Sequence, residues 1–524
     1  MEKFKPIIFY IIFFLFILAY SSLVNGYDYD LWAKLILGMA FVQTGQVLKH
    51  DFTSYTPTHT WYDHEWGSGV IFYLTQHFFS TAGLLLLQAT LVFLIFFTVT
   101  KIIKLRGVKT TSPYNFLFYF FTFNAITINI NEPVRCQLFS FLLFAIFLYI
   151  LELARQGKNK PLWLLPFIMI FWNNVHGGSI AGIGLIVLYI VGEFLNGAPV
   201  KKYILALIPT VLVLIINPWG LSYMSFLTKA LTMQRPEIME WWGLFSPYYL
   251  YRFMLFKGLL FLLLFTEAIV VATSIDKKSF SFKKLDKTKF LVLAATLFIA
   301  VQHVKMVPFF AIAGSCFIYD DFYTLLSNIG AKVGGLLRIK ADFAKGFLQK
   351  KEIAVYLVIL VFVLFNLKPS SFGPLVRAEK YPLREVEFVK INNLKGNLLI
   401  NFGAGSYASY KLYPNNLIYM DGRYEAVYYD DLIPLLRDFS LVKPGWDNIL
   451  NIYPPKIIII EKFYPIYLHL QTLKDWKLVY DGDGFGVFVR SEDVKKTYKK
   501  PSNEIEYYKQ TVFDTNISFK NRLN

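Results

Sequence analysis

Tyr27-Asp28-Tyr29-Asp30-Leu31-Trp32 follows directly on an apolar run from residue 6 to residue 24. Such a run is long enough to cross a bilayer, which takes about 20 apolar residues. It exceeds the apolar core of a cleaved leader, about 7–15 residues, so it reads as a retained first span. The two carboxylates then stand at the mouth of that span. An acidic pair at i, i+2 just above a membrane has two uses: it shares a divalent cation, or it divides into a base and a ligand. Oxygen ligands favour Mg²⁺ or Mn²⁺ over zinc. The Asp-x-Asp pattern alone is common in loops; its position gives it weight.

The rest of the chain agrees with a membrane solvent. Of 524 residues, 55% are hydrophobic and only 17% charged, where a soluble protein carries about 25%. The net charge of +17 fits cationic loops on one side of a membrane better than a nucleic-acid partner. Two cysteines, both in apolar runs, exclude a disulfide framework and a Cys-x-x-Cys metal site.

Apolar runs at 6–24, 83–103, 114–131, 134–153, 161–173, 179–196, 203–216, 255–274, 290–302, 306–319 and 353–367 give about eleven transmembrane helices. Every second connection is basic, as at Lys101–Lys109, Arg155–Lys160, Lys201-Lys202 and Lys277–Lys289. That alternation predicts an N-terminus inside a cytoplasmic (inner) membrane and a C-terminal segment outside it. The inner connections are expected to carry mostly solvated cations. The predicted organisation is a membrane domain over 1–367, with its first outer loop at 25–80. An extracytoplasmic α/β domain at 375–493 and a polar, partly disordered tail at 494–524 follow. Within the α/β domain, 397–402, 416–420, 456–461, 476–480 and 484–489 read as strands, and 432–439 and 467–473 as helices.

This topology puts the seven histidines and most loop carboxylates on or near the outer face. Residues 31–42 read as an amphipathic helix lying on the membrane surface. Trp61-Tyr62-Asp63-His64-Glu65-Trp66 sets three ionisable groups between aromatics, which suits a metal ligand, a general base or a sugar-binding edge. Asp63 alternatively caps the helix that follows. Arg135 opens the fourth span, His176 lies in Trp172-Asn173-Asn174-Val175-His176-Gly177-Gly178, and Gln302-His303-Val304-Lys305 interrupts two later spans. Ionisable groups at such depth are costly and read as functional, although Arg135 and Lys305 also suit snorkelling toward headgroups. Outer cations beside outer carboxylates match a lipid-phosphate leaving group and an acceptor hydroxyl that needs a base. Gly403-Ala404-Gly405 lacks the full dinucleotide fingerprint, because position 408 is Ala. Asp421-Gly422-Arg423 reads as a turn. No nucleotide, haem or flavin is expected.

With these motifs the chain resembles the GT-C superfamily of membrane glycosyltransferases. The features that carry the resemblance are Asp28-Tyr29-Asp30 after the first span, a long first outer loop with a helix, many spans and a C-terminal outer domain. It resembles in particular a bacterial GT-C-like set sharing Asp30-Leu31-Trp32, Asp51-Phe52-Thr53-Ser54-Tyr55-Thr56, His64-Glu65-Trp66, Asn217-Pro218-Trp219-Gly220 and His303-Val304-Lys305. The resemblance implies an inverting transfer of sugar from a polyprenyl-phosphate donor to an extracytoplasmic lipid, glycan or protein acceptor. It implies Asp28 or Asp30 as base or as ligand to Mg²⁺ or Mn²⁺, with Asp63, His64 and Glu65 as partners. Arg135, His176, His303 and Lys305 would hold the donor phosphate, and membrane lipids would surround the spans. The Trp-Trp-Asp motif of oligosaccharyltransferases is absent, since the chain has Trp241-Trp242-Gly243. A flippase of lipid-linked sugars and a non-catalytic envelope polysaccharide assembly protein are the alternatives.

Overall fold

The computed structural model describes residues 5–23, 28–107, 134–233, 235, 236, 238–274, 285–319, 321, 341–367, 372, 381–515 and 517–519. The expected span at 114–131 lies outside them. Two compact units emerge: Met1–Val24, Leu85–Asn131 and Cys136–Ser371 in one, Asn25–Leu84, Glu132–Arg135 and Phe372–Asn524 in the other.

The first unit is helical. Among the described residues, four helices are long and apolar enough to cross a membrane: Pro6–Leu23, Gln137–Arg155, Gly177–Leu195 and Trp66–Leu105, the last of which belongs to this unit from Leu85 onward. Val304–Phe317 and Ala354–Asn366 are shorter apolar helices. Large apolar side chains such as Phe167, Phe194, Phe265 and Phe365 are exposed. That is costly in water and neutral in lipid, and marks a membrane-embedded protein. The Trp66–Leu105 stretch, 40 residues, would run about 60 Å as one helix, twice a bilayer core. Ser80 breaks it, with φ 52° and ψ −149°, so only its second half coincides with the span expected at 83–103.

Carboxylates inside these apolar helices are closed into networks. Arg155 donates to both oxygens of Asp286 at 2.9 Å, pairs with Glu193 at 2.9 Å and meets Glu152 at 3.3 Å. Tyr189 donates to Glu152 and Thr288 to Glu193, both at 2.7 Å. The expectation of solvated inner cations therefore fails for Arg155. Buried Glu152 and Glu193 require a cation; Arg155 serves both, and Arg106 lies 3.6 Å from Glu152 as well.

The second unit holds a four-stranded sheet of β1 (Leu398–Ile400), β2 (Ile457–Glu461), β3 (Trp476–Asp481) and β4 (Phe485–Arg490) in the order β1-β2-β4-β3. β1 and β2 are parallel and the other pairs antiparallel. Four consecutive isoleucines, all buried, make β2 a strand covered on both faces. Helices Leu432–Ser440 and Ile466–Thr472 stand where the sequence predicts them. The segment at 416–420 forms only single bridges, Ile418 lying parallel to Leu398.

The loop after the first apolar helix and the described part of the tail belong to this unit, which moves the domain boundaries read from sequence. Ser54 bridges Ile418 and Thr58 bridges Tyr428, so the loop extends the sheet edge. Every residue from Leu31 to Ala40 of the Tyr29–Thr44 helix is buried, which corrects the reading of a helix lying on the membrane surface. A helix apolar on all sides belongs in a core. Its Trp32 meets Tyr407 at 5.1 Å, Tyr410 at 5.3 Å and Phe513 at 5.6 Å. The described part of the tail, through Phe519, packs on this unit rather than standing free. Lys411 donates to the carbonyls of Thr511 and Asp514, and buried Phe519 packs on Phe52.

Arg423 fastens loop to sheet. Its guanidinium donates to Asp421 at 2.8 Å, to Asp51 at 2.7 Å, to Thr53 at 2.7 Å and to Tyr428 at 3.0 Å. It also lies over the Trp61 ring at 5.0 Å. Burial pushes the Asp51 carboxyl up, but Arg423 and hydrogen bonds from Ser54 and Thr53 outweigh it and hold the group below its ordinary value. Arg423→Leu is expected to cost about 3–5 kcal/mol, because two buried carboxylates lose their cation. Melting followed by tryptophan fluorescence checks it, and an unchanged midpoint contradicts this account.

Candidate active site

Asp28 sits in extended backbone (φ −68°, ψ 143°) and caps the Tyr29–Thr44 helix, its Oδ1 accepting the Asp30 N–H at 3.2 Å. The same carboxylate pairs with the Arg135 guanidinium. Arg135 Nη2 also stands 3.7 Å from Asp30 Oδ2. One turn further along the helix, Lys34 is buried and binds Glu65 at 2.6 Å and Asp63 at 3.6 Å. His64 Nε2 is 3.7 Å from Glu65. Asp63 also starts the next helix, its Oδ1 accepting the Glu65 N–H at 3.2 Å and its carbonyl the Trp66 N–H at 3.3 Å. Capping and ion pairing thus coexist at Asp63.

The structure therefore joins Asp28, Asp30, Arg135, Asp63, His64 and Glu65, with Lys34 as the link the sequence reading missed. Lys34 was detectable as the lone cation in an apolar helix, four residues from Asp30. Also missed was the neighbour of Asp30 from the far end of the chain. A Cβ added at Gly422 would lie 2.4 Å from Asp30 Oδ1, and one at Gly403 would lie 3.0 Å from the Tyr29 ring. Asp421-Gly422-Arg423 is a turn, as read, and it abuts the acidic motif.

Asp30 differs from its neighbours. It keeps 44% of its side-chain surface open, against 7% for Asp28 and 13% for Glu65. Burial of its surroundings and the adjacent Asp28 charge raise its pKa, Arg135 and Lys34 oppose them, and the result is about 7. The pair does not fit a bridging divalent ion in this geometry. The Arg135 guanidinium takes the place between the carboxylates, and Asp28 is spent on the helix cap and on that cation.

The other cations expected at a phosphate lie in the helical unit, in two local sets. His303 Nδ1 is 2.7 Å from the Trp241 carbonyl, which only accepts, so Nδ1 carries the proton. Its ring meets Trp241 at 5.1 Å, and Lys305 lies 5.6 Å over the same indole and 3.8 Å from Glu240. His176 shows the opposite tautomer. Trp172 donates to Ser140 at 2.7 Å, leaving the Ser140 hydroxyl to donate to His176 Nδ1 at 2.6 Å. Nδ1 also accepts the Gly178 N–H at 3.1 Å, so the ring proton sits on Nε2.

No family model and no curated protein matches the chain. Among solved structures, the apo oligosaccharyltransferase of Archaeoglobus fulgidus is similar at 10% identity and TM-score 0.53, over 86% of this chain and 69% of that one. The oligosaccharyltransferase AglB of the same archaeon, solved with an inhibitory peptide and a dolichol-phosphate, gives 10% identity and TM-score 0.54 over 95% and 77%. Mycobacterial arabinofuranosyltransferase AftD gives 11% identity and TM-score 0.48 over 93% and 41%. The first two likenesses show a GT-C-like fold.

An open carboxyl that is half-protonated near neutrality reacts with carbodiimides on the acid side. Labelling of Asp30, read by peptide mass spectrometry, is expected to fall with a midpoint of about pH 7. Arg135→Ala should move the midpoint upward, because the removed cation favours the carboxylate. A midpoint near the ordinary value of about 4 contradicts this environment.

Proposed function

We propose that the chain is an integral-membrane glycosyltransferase that moves a sugar from a polyprenyl-phosphate donor to an extracytoplasmic acceptor, with inversion. The observation that carries the reading is Asp30, an open carboxylate poised near neutrality beside a guanidinium. What supports it further is the GT-C-like fold, shared with an oligosaccharyltransferase that was solved with a dolichol-phosphate. In this reading about eleven helices cross an inner membrane, the N-terminus lies inside and the sheet-bearing unit lies outside.

Asp30 takes the acceptor hydroxyl proton as the acceptor oxygen bonds to the anomeric carbon from the face opposite the phosphate. The carbon–oxygen bond to phosphate breaks, its electron pair stays on the phosphate, and polyprenyl phosphate leaves. Arg135, beside Asp30, is assigned to the phosphate charge, and the resemblance adds His176, which offers its Nε2–H, His303 and Lys305 to that role. A base with pKa near the working pH balances availability against strength. Asp28 is assigned the positioning of Arg135, and Lys34 with Asp63, His64 and Glu65 the support of the helix that carries Asp30. No step is routed through a metal, because Asp28 and Asp30 already share the Arg135 guanidinium.

Asp30→Asn is expected to lower turnover by about 10²–10⁴-fold while leaving the lipid donor bound. Mass spectrometry of purified protein incubated with native lipid extract reads both quantities. A donor consumed equally by wild type and variant removes Asp30 from this role. A lipid-linked sugar that crosses liposomes unaltered would favour the flippase, and a chain that binds no lipid-linked sugar would favour an assembly protein.

Chelation provides an independent check. Treatment with EDTA should leave turnover within about twofold of untreated enzyme. Loss that is restored by Mg²⁺ or Mn²⁺ would show that the Asp28–Arg135 pair opens to admit an ion.

A further inference from the structure

The sheet of the second unit has a direction as well as an order. Residues 417–420, β1 and β2 all run parallel, since Ile418 bridges Leu398 and Leu398 pairs with Ile457. From β1 the chain leaves through the Gly405–Leu412 helix toward Ile418, on one side. From β2 it leaves through the Ile466–Thr472 helix toward β3 and β4, on the other side. Neighbouring parallel strands whose connections depart in opposite directions leave a crevice at their carboxyl ends, where open α/β sheets bind ligands. The two residues at that switch point are Asn401 and Glu461.

Their chemistry is unfinished. Asn401 is held by its carbonyl, which accepts the N–H groups of Ala404 and Gly405 at 3.0 and 3.2 Å. Its Nδ2 donates to Glu461 Oε2 at 3.2 Å, but its buried Oδ1 has no hydrogen-bond partner among the described residues. A buried carbonyl oxygen left without a donor calls for an explanation. Beside it, Phe402 meets Tyr424 edge to face at 6.3 Å. Tyr424 holds φ at +40°, a strained value for an aromatic residue, of the kind that persists where a site requires it. The same carboxyl edge reaches the acidic motif, through Gly403 on Tyr29 and Gly422 on Asp30.

We infer that this switch-point crevice is the acceptor seat of the Asp30 centre, and that the acceptor it takes is a glycan. The inference rests on the transferase reading for the role of Asp30. A carboxamide oxygen beside a carboxylate offers adjacent acceptors to adjacent sugar hydroxyls. Aromatic rings next to them cover the apolar C–H face of a sugar ring. A nucleotide does not fit the same edge, because the Tyr29 ring already lies on Gly403, where a phosphate would approach the backbone.

The test uses the full chain in lipid nanodiscs and a panel of neutral hexose and N-acetylhexosamine disaccharides. Saturation-transfer NMR is expected to show at least one disaccharide bound. Asn401→Leu should weaken that binding at least about tenfold, and Phe402→Ala should weaken it through loss of ring contact. Wild-type melting midpoints exclude unfolding as the cause. Asp30→Asn should keep the sugar bound while turnover is lost. Absence of binding by every disaccharide, or binding indifferent to both Asn401→Leu and Phe402→Ala, overturns the seat. So does displacement of the sugar by nothing but a peptide acceptor. Full turnover in Asn401→Leu would remove the seat and leave the transferase reading standing. Sugar bound at Asn401 with no lipid donor ever consumed would keep the seat and remove the transferase reading.

Discussion

A buried guanidinium needs partners for its charge and for five N–H groups, and the pairing found for Arg423 is the constraint on which the second unit depends. Its bonds run to Asp421, Asp51, Thr53 and Tyr428, residues from two stretches of chain some 370 positions apart. With Arg423 satisfied this way, the loop at 53–58 is locked beside the extended segment that bridges at Ile418. The turn after that segment then brings Gly422 to Asp30. Removing the cation would strand two carboxylates in a low-dielectric interior, and the same turn that carries Arg423 places Gly422 against Asp30.

Local physics made some of this legible in the sequence. Asp28 and Asp30 announced themselves by standing at the end of an apolar run, and β2 by four isoleucines in a row. Asp63 was readable both as a cap and as a site residue, and the structure shows the capping bond together with the Lys34 pair. What escaped was whatever depends on distant partners. The Tyr29–Thr44 helix looked like a membrane-surface element because its other covering, the Gly405–Leu412 helix and Phe513, lies hundreds of residues away. Asp421-Gly422-Arg423 has the chemistry of an ordinary turn until Asp51 is brought to it. The tail is polar on average, yet Phe513 and Phe519 suffice to dock it, and an average hides two anchors.

The network around Arg155 was hidden for another reason. Charge alternation is a statement about which side of the membrane a cation prefers, not about whether water solvates it. Arg155 satisfies the alternation and still spends its guanidinium on Glu152, Glu193 and Asp286. Lys289 does the same with Glu267 and Asp321. The signal available in the sequence was the acid itself. A Glu inside an apolar helix predicts a partner, and Glu152, Glu193 and Glu267 each have one.

That contrast bears on the proposed role of Asp30. In the helical unit the buried acids named above are drawn into ion pairs, and a carboxylate held by a guanidinium at 2.9 Å on two sides is a poor base and a poor nucleophile. In the second unit Asp51 and Asp421 are spent on Arg423, Asp28 on its cap and on Arg135, Asp63 and Glu65 on Lys34. Asp30 alone in that cluster combines a distant cation, at 3.7 Å, with a side chain 44% open. A proton acceptor has to be charged often enough to act, paired weakly enough to accept, and reachable. The same ledger of pairings that explains why the fold holds together also separates Asp30 from Asp28. Sequence spacing cannot separate two carboxylates two residues apart, because their difference lies in what each touches.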